Sequence, residues 1–178
     1  MKRLTAHYSI TVGSFLFFSI AVQLVHMTIY LAADHRGFNL KDQIKEHLSS
    51  QGREVVDVGA SVLNTDDDYV DFASEAAKKI AENSSENRGI FLCGSGHGVD
   101  IVANKFKGIR AALCWNAEVA KQSREHEDAN VLILPADWVN FDQAKEIVDV
   151  WLKTEFSGEE RHVRRLKKIE EIESLNFK

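Results

Sequence analysis

The sequence predicts an α/β fold with three layers, α/β/α, in which helices cover both faces of a five-stranded, parallel, Rossmann-like sheet. Short, continuously apolar segments alternate along the chain with longer segments of helical period, as in a series of β-α-β units. Strands that are apolar throughout are typical of a parallel sheet buried on both faces. A charged C-terminal helix, beginning near residue 159, is predicted to follow the sheet.

The five apolar segments are the predicted strands, in the order 29–33, 54–58, 89–93, 110–114 and 131–134. The segments between them predict helices that begin near residues 38, 69, 98, 117 and 141. Gly52 should end the first helix, and the side chain of Asn116 should cap the fourth. Each helix then connects two parallel strands as a crossover.

Length and composition limit the classes of protein to consider. A chain of 178 residues can bury one good core but is too short for two ordinary domains. Its net charge of -5 gives no electrostatic reason to expect nucleic acid as a partner. Two cysteines, Cys93 and Cys114, are too few for a disulfide scaffold. We therefore expect a cytoplasmic protein with free thiols that binds a small ligand or another protein.

The first 26 residues allow more than one interpretation. Lys2 and Arg3 precede an apolar run from Ile10 to Val25, as in a secretory signal. The run is short for a membrane span, and no small-x-small cleavage site precedes Met27. We interpret residues 1–26 as an apolar extension outside the fold and 27–178 as the domain, with no stable membrane association. An exported or membrane-tethered protein is the alternative.

Residues able to transfer protons follow several predicted strands. In an open parallel sheet, ligands bind beyond the carboxyl ends of the strands. Asp34 and His35 follow the first strand, and Cys93 ends the third. Beside a helix N-terminus a cysteine can act as a base or nucleophile, because the helix dipole favours its thiolate; the alternative is a small buried apolar side chain. For Cys114, inside an apolar strand, we expect the second role.

The segment after the third strand is rich in glycine. Gly94, Gly96 and Gly98 would let several backbone N–H groups converge on an anion at the start of the next helix, or would form only a tight turn. A dinucleotide site would need an acidic residue at the end of the following strand. The sequence there reads Cys-Trp-Asn, so NAD is disfavoured.

Histidines and arginines add further candidates. His126, just before the fifth strand, can exchange protons near neutral pH or hold a phosphate, although surface histidines are common. Arg161 and Arg165, four residues apart, can form a fork for phosphate on the last helix. A solvated helix face paired with nearby glutamates is the alternative. A zinc site is disfavoured, because the sequence has no close pair of ligands.

Five motifs, taken together and in this order, resemble the ribose-5-phosphate isomerase B family, also called the RpiB/LacAB sugar-phosphate isomerases. The resemblance runs from Met27 to about Glu173, and five motifs are far more specific than any one of them. The motifs are Asp34-His35-x-Gly37, Cys93-Gly94-Ser95-Gly96-x-Gly98, Ala103-Asn104-Lys105 with Gly108-Ile109-Arg110-Ala111, Ser123-Arg124-x-His126, and the pair Arg161 and Arg165.

The resemblance implies an activity and roles for individual residues. The family interconverts aldose and ketose phosphates through a cis-enediolate, without a metal or other cofactor. Cys93 would be the base that moves a proton between C1 and C2, and the glycine-loop amides with the Ser95 hydroxyl would stabilise the enediolate. His126 would open the sugar ring, and Asp34 would contact the sugar hydroxyls.

The resemblance also implies a set of substrate-binding residues. The phosphate would be held by His35, Arg161 and Arg165, with help from Arg110. Glu127, beside His126, would face the substrate. The remaining members of the implied set are Tyr69, Gly94, Gly96 and Gly98.

Three positions depart from the family pattern. Val70 stands where the family usually has proline after Asp-Tyr, so the loop that carries Tyr69 is expected to be less rigid. Glu127 stands where asparagine is common, which bears on the identity of the sugar. Val99 stands where some relatives carry a glutamate base, which favours the Cys93 thiolate.

The family pattern finally predicts substrate and assembly. The expected substrates are ribose 5-phosphate and ribulose 5-phosphate, and the expected assembly is a homodimer, or a tetramer made of two dimers, with active sites shared between subunits. The alternatives are isomerisation of another sugar phosphate, such as erythrulose phosphate, allose 6-phosphate or galactose 6-phosphate, or a non-catalytic phosphosugar-binding protein.

Overall fold

The computed structural model describes residues 27–177, and the prediction for residues 1–26 lies outside them. Strands and helices alternate from β1 to α5, and a sixth helix follows. The elements are β1 (Thr28–Ala33), α1 (Phe38–Ser50), β2 (Glu54–Asp57), α2 (Tyr69–Ala81), β3 (Arg88–Cys93), α3 (His97–Ala103), β4 (Ala111–Leu113), α4 (Ala117–Glu127), β5 (Val131–Pro135), α5 (Phe141–Lys153) and α6 (Glu160–Asn176). The predicted fold class is confirmed, and the predicted strands and helix starts differ from these bounds by at most one residue.

The sheet is parallel throughout, with strand order β2-β1-β3-β5-β4. β3 is therefore the central strand, between β1 and β5. Its last residues pair with the last residues of both neighbours: Leu92 lies opposite Ala33, and Cys93 lies opposite Pro135. The loops that follow β1, β3 and β5 consequently meet at one edge of the sheet, which we call the carboxyl edge.

Two buried cores separate the three layers. Successive strand residues point to opposite faces, so Leu92 packs in the core formed with α1, α4 and α5, while Cys93 packs in the core formed with α2 and α3. Trp151 of α5 is completely buried in the first core. Because both faces are covered, the strands are mainly apolar, as the sequence indicated, whereas the edge strand β2 carries Glu54 and Asp57 at its ends.

Local sequence signals set the helix ends that lie near the sheet edges. The Asn116 side chain accepts a hydrogen bond from the Val119 amide at 2.8 Å and caps α4, as predicted. Asp68 caps α2 in a similar way through the Val70 amide. Gly52 follows α1 with a φ of 72°, a left-handed conformation that glycine adopts without strain, and so ends the helix as predicted.

The last helix, α6, packs only lightly on the rest of the chain. It lies against α4, and three of its large apolar side chains, Ile169, Ile172 and Leu175, are exposed. Among residues 27–177, no helix combines the length and the apolar character that a membrane crossing requires.

Candidate active site

The carboxyl edge brings together residues from two of the predicted motifs. Cys93 ends β3 and is 5% exposed. The loop after β5 is fastened beside it, because the Ala136 amide donates to the Cys93 carbonyl at 3.0 Å and the Asp137 amide donates to the Gly94 carbonyl at 2.9 Å. Asp34 and His35 follow β1 on the other side of β3. The chain thus places a thiol, a carboxylate and an imidazole at one edge of the sheet.

The glycine loop after Cys93 depends on its glycines. Gly96 has a φ of 81°, and a Cβ atom there would lie 2.5 Å from Leu113 Cδ1. A Cβ atom on Gly98 would lie 2.6 Å from the ring of Tyr69, so this aromatic ring covers the loop directly. Larger residues at either position would push the loop away from the sheet, which explains why both positions are glycine.

The same loop presents hydrogen-bond donors. In the part of the chain described here, the amides of Gly94, Ser95 and Gly96 have no hydrogen-bond acceptor. The Ser95 hydroxyl oxygen accepts weakly from the His97 amide at 3.4 Å, and the Ser95 residue is exposed. Free N–H groups beside a strand end are suited to an anionic oxygen.

Asp34 is a buried carboxylate with its own local support. One of its oxygens accepts from the amides of Arg36 at 3.0 Å and Gly37 at 3.1 Å. These bonds fix the turn that follows β1 and hold the carboxylate at the carboxyl edge. The second oxygen has no such backbone bond and is available to a ligand hydroxyl.

His35 is held by a residue that the sequence analysis did not single out. One oxygen of Asp67 accepts from the His35 backbone amide at 3.1 Å and lies 2.6 Å from His35 Nδ1. This contact fixes the ring orientation and leaves Nε2 as the atom that can face a ligand. The pair is 32 residues apart in the chain, and Asp67 lies in an acidic loop that looks like an ordinary solvated segment, so the sequence carried little signal for it.

Arg36 and Asp137 form a second contact that the sequence analysis missed. Arg36 Nη2 donates to Asp137 Oδ2 at 2.5 Å, across 101 residues of sequence. The pair joins the loops after β1 and β5 and passes over the end of β3. Gly94 lies directly beneath it, because a Cβ atom there would be 2.4 Å from Arg36 Nε and 2.7 Å from Asp137 Oδ2.

The remaining motif residues form a second cluster, which we call the histidine cluster. His126, near the end of α4, stacks on His162 of α6 with ring centroids 4.3 Å apart and an angle of 13° between the ring planes. His162 is 1% exposed, and neither of its ring nitrogens has a hydrogen-bond partner among the described residues. Burial lowers the pKa of His162, and the nearby His126 lowers this pKa further.

Two arginines fix the end of α4 beside this cluster. Asp128 follows α4 with a φ of 45°, and its carboxylate accepts from Arg110 and Arg124, both at 2.8 Å. Arg110 also donates to the carbonyls of Glu127 and Asp128. In this chain Arg110 and Arg124 therefore have a structural role, and the phosphate contact implied for Arg110 stays a prediction.

The two implied phosphate arginines lie on α6. Arg161 Nε donates to Glu159 at 2.8 Å, and both Arg161 and Arg165 are exposed. They share α6 with His162, which places them on the side of the molecule that carries the histidine cluster. Glu127, next to His126, is also exposed.

Within one chain the structure does not bring the histidine cluster to Cys93. Arg110 precedes β4 and Asp128 precedes β5, so the end of α4 lies at the amino edge of the sheet, opposite the carboxyl edge. The two ends of the five-residue β5 are roughly 13 Å apart. An acid and a base that act on one small substrate must each come within hydrogen-bond reach of it, about 3 Å. One chain consequently contains two separated halves of the predicted site.

Cys114 differs from Cys93 in its surroundings. It lies in the first core, and burial raises the pKa of its thiol to about 11. Its Sγ contacts the Ser123 hydroxyl at 3.8 Å. The prediction that Cys114 is a buried structural side chain is confirmed.

The chain is similar to known proteins in sequence and in fold. A family profile described as Ribose/Galactose Isomerase matches residues 29–169. A relative from Mycoplasma genitalium, named probable ribose-5-phosphate isomerase B, is 44% identical over 79% of this chain and 92% of its own length.

Solved structures are similar over the same region. The structure of ribose-5-phosphate isomerase B from Mycoplasma genitalium with bound ribulose-5-phosphate has a TM-score of 0.81 and 42% identity, and the match covers 83% of this chain and 97% of that one. The ribose-5-phosphate isomerase B of Clostridium thermocellum has a TM-score of 0.79 and 46% identity, over 84% of this chain and 99% of that one.

Proposed function

Because the chain belongs to the ribose/galactose isomerase family, we propose that it is an aldose–ketose isomerase that interconverts ribose 5-phosphate and ribulose 5-phosphate. The relatives named above support the five-carbon sugar, and one of their structures holds ribulose-5-phosphate. The observation that carries the proposal is the carboxyl edge, where the Cys93 thiol adjoins a loop of free amides and the carboxylate of Asp34.

Cys93 is the proposed base. Isomerisation moves one proton between C1 and C2, so a single base close to both carbons is sufficient. The thiolate of Cys93 would take the proton from the carbon next to the carbonyl and return it to the other carbon. Its position at the end of β3, beside the free amides of the glycine loop, supports this role.

The glycine loop is the proposed enediolate site. Negative charge develops on the carbonyl oxygen as the proton leaves, and N–H donors already in place stabilise that charge without reorganising. The amides of Gly94, Ser95 and Gly96 are such donors, and the exposed Ser95 hydroxyl can add another. The Tyr69 ring on Gly98 shields the loop from one side.

The residues after β1 are proposed to orient the sugar. Asp34 would accept hydrogen bonds from sugar hydroxyls through the oxygen that the backbone leaves free. His35, with its ring fixed by Asp67, would present Nε2 to the phosphate. Asp67 would therefore be a positioning residue that acts through His35.

The separation of the two halves supports an assembly in which a second copy completes the site. We propose a homodimer in which the histidine cluster of one subunit lies over the carboxyl edge of the other. His126 would then open the sugar ring, while Arg161 and Arg165 would hold the phosphate. The exposed apolar side chains of α6 are suited to such an interface.

We also propose that the protein acts in the cytoplasm. Cys93 and Cys114 are both free thiols, as expected in a reducing compartment. A cysteine base needs that compartment, because oxidation of Cys93 would remove the thiolate.

The test is a turnover assay with the purified full-length chain. Ribulose 5-phosphate formation from ribose 5-phosphate is measured with excess EDTA, and four- and six-carbon sugar phosphates are added as competitors. The proposal is supported if EDTA does not reduce turnover and if five-carbon sugar phosphates are turned over in preference to the competitors. If another sugar phosphate is turned over preferentially, that sugar phosphate is the substrate instead of ribose 5-phosphate. Binding without any turnover would indicate a non-catalytic phosphosugar-binding protein.

A further inference from the structure

The Arg36–Asp137 pair lies over the proposed reaction centre and has no role in the function described so far. The strand order places β3 between β1 and β5, so a contact between the loops after β1 and β5 must cross the end of β3. Gly94 touches both side chains from below, and Cys93 is its neighbour in the chain. A ligand bound on the glycine loop would therefore lie close to this pair.

The pair is well formed but easily broken. The side chains of Arg36 and Asp137 are 57% and 36% exposed, so water competes with their contact. Exposed ion pairs of this kind contribute little to stability. Asp137 is nevertheless fixed in place through its backbone, since its amide donates to the Gly94 carbonyl at 2.9 Å. Arg36 is the flexible partner, with a long side chain that can turn toward another anion.

A sugar phosphate is a stronger partner for Arg36 than Asp137 is. A phosphate group carries up to two negative charges, and the guanidinium fork binds its oxygens in a bidentate way. Arg36 directly follows His35, the proposed phosphate ligand, and its side chain now crosses the end of β3 to Asp137, so it would have to turn back from Asp137 to reach a phosphate held by His35. Asp137 would repel that group for as long as its carboxylate remains ionised.

We propose that Arg36 binds the substrate phosphate and that Asp137 is the partner from which the phosphate displaces it. In the empty site the pair closes over the glycine loop, and in the occupied site Arg36 turns to the phosphate. Asp137 then lowers the affinity for every phosphate ligand by competing for Arg36. This inference rests on the proposed function, since it takes the carboxyl edge as the substrate site.

The test measures binding of inorganic phosphate by calorimetry, alongside KM and kcat for ribose 5-phosphate. Arg36→Ala should weaken phosphate binding by about tenfold or more, with KM raised and kcat nearly unchanged. Asp137→Asn should strengthen phosphate binding by about two- to fivefold, because the competitor is neutral. In the double variant the benefit of Asp137→Asn should disappear, since it acts only through Arg36.

Two control variants separate this effect from a change in total charge. Arg53→Ala removes a positive charge near β2, and Asp142→Asn removes a negative charge in the first turn of α5. Both should leave phosphate affinity unchanged. The proposal is wrong if Arg36→Ala lowers kcat without weakening phosphate binding. It is also wrong if Asp137→Asn strengthens phosphate binding as much in the Arg36→Ala background as in the wild type. Phosphate binding is measured without turnover. An inactive wild-type protein would therefore refute the isomerase function, but the effects of the Arg36 and Asp137 variants on phosphate affinity could still be interpreted.

Discussion

The carboxyl edge and the histidine cluster carry different motifs of the same family pattern, and they are built differently. At the carboxyl edge, backbone donors without a partner adjoin the Cys93 thiol, and the long side chain of Arg36 is exposed. At the histidine cluster, His162 is buried, and two arginines fix the neighbouring Asp128. The difference supports the proposal that the carboxyl edge holds the reacting carbons and that the histidine cluster presents His126 to a second copy of the chain.

The largest expected effect concerns the proposed base at the carboxyl edge, Cys93. Cys93→Ala should lower kcat by roughly 1000-fold, because general-base catalysis typically contributes 100- to 10000-fold. The measurement is steady-state kinetics with ribose 5-phosphate. Cys114→Ala is the matched control, since burial holds the pKa of that thiol at about 11 and keeps it protonated. Equal activity losses in both variants would contradict the assignment of Cys93.

The next effect tests the histidine cluster. His126→Asn should lower kcat/KM by roughly 100-fold, because ring opening would lose its proton-transfer group. His47→Asn serves as control, since His47 lies on α1, contacts Asp149 of α5 at 2.9 Å and belongs to neither region. A fully active His126→Asn enzyme would show that the histidine cluster has only a structural role.

A smaller effect is expected from the support of His35. Asp67→Ala removes both contacts to His35 and should raise KM for ribose 5-phosphate by about tenfold, with a lesser change in kcat. Asp66→Ala removes a neighbouring exposed carboxylate and should leave both constants unchanged. If the two variants have the same KM and kcat, Asp67 does not act as a positioning residue for His35.

The smallest effect is a pH dependence at the histidine cluster. Burial and the nearby His126 lower the pKa of His162 below its ordinary 6.5, and Arg161 and Arg165 act in the same direction while Glu159 opposes them. As pH falls, the His162 ring therefore takes up a proton in the unfolded chain before it does so in the folded chain. The free energy of unfolding is consequently unaffected by His162 above pH 6.5 and decreases progressively below it.

Thermal unfolding between pH 7.5 and pH 5 measures that dependence. These pH values are chosen to span about one unit or more on either side of an ordinary histidine pKa. The melting temperature of His162→Gln should fall less steeply with decreasing pH than that of the wild type. Parallel curves would contradict a buried, neutral His162.

Much of the fold was predictable because its signals are local. The apolar strands, the cap at Asn116 and the helix end at Gly52 each depend on residues within a few positions of one another. The same holds for the burial of Cys114, which lies beside an apolar strand. Such features depend on short segments of sequence, and the structure contains each of them.

The supporting contacts of the site were not predictable, because they join distant parts of the chain. Arg36 meets Asp137 only after β1, β3 and β5 have been ordered in the sheet, and Asp67 meets His35 only after its loop folds back over β1. The separation of His126 from Cys93 is different, because His126 precedes one predicted strand and Cys93 ends another, and in a parallel sheet these two places lie at opposite edges. The helix α4 runs from the carboxyl edge to the amino edge, and this direction separates His126 from Cys93 in space.

The most direct test of the account is activity in a mixed dimer. Chains carrying Cys93→Ala and His126→Asn are produced together with two different affinity tags, and the species that carries both tags is isolated. If sites are shared between subunits, one of its two sites contains an intact Cys93 and an intact His126, so activity should recover to about half that of the wild type. A mixed dimer as inactive as its two parents, or a chain that forms no mixed dimer, would contradict the account.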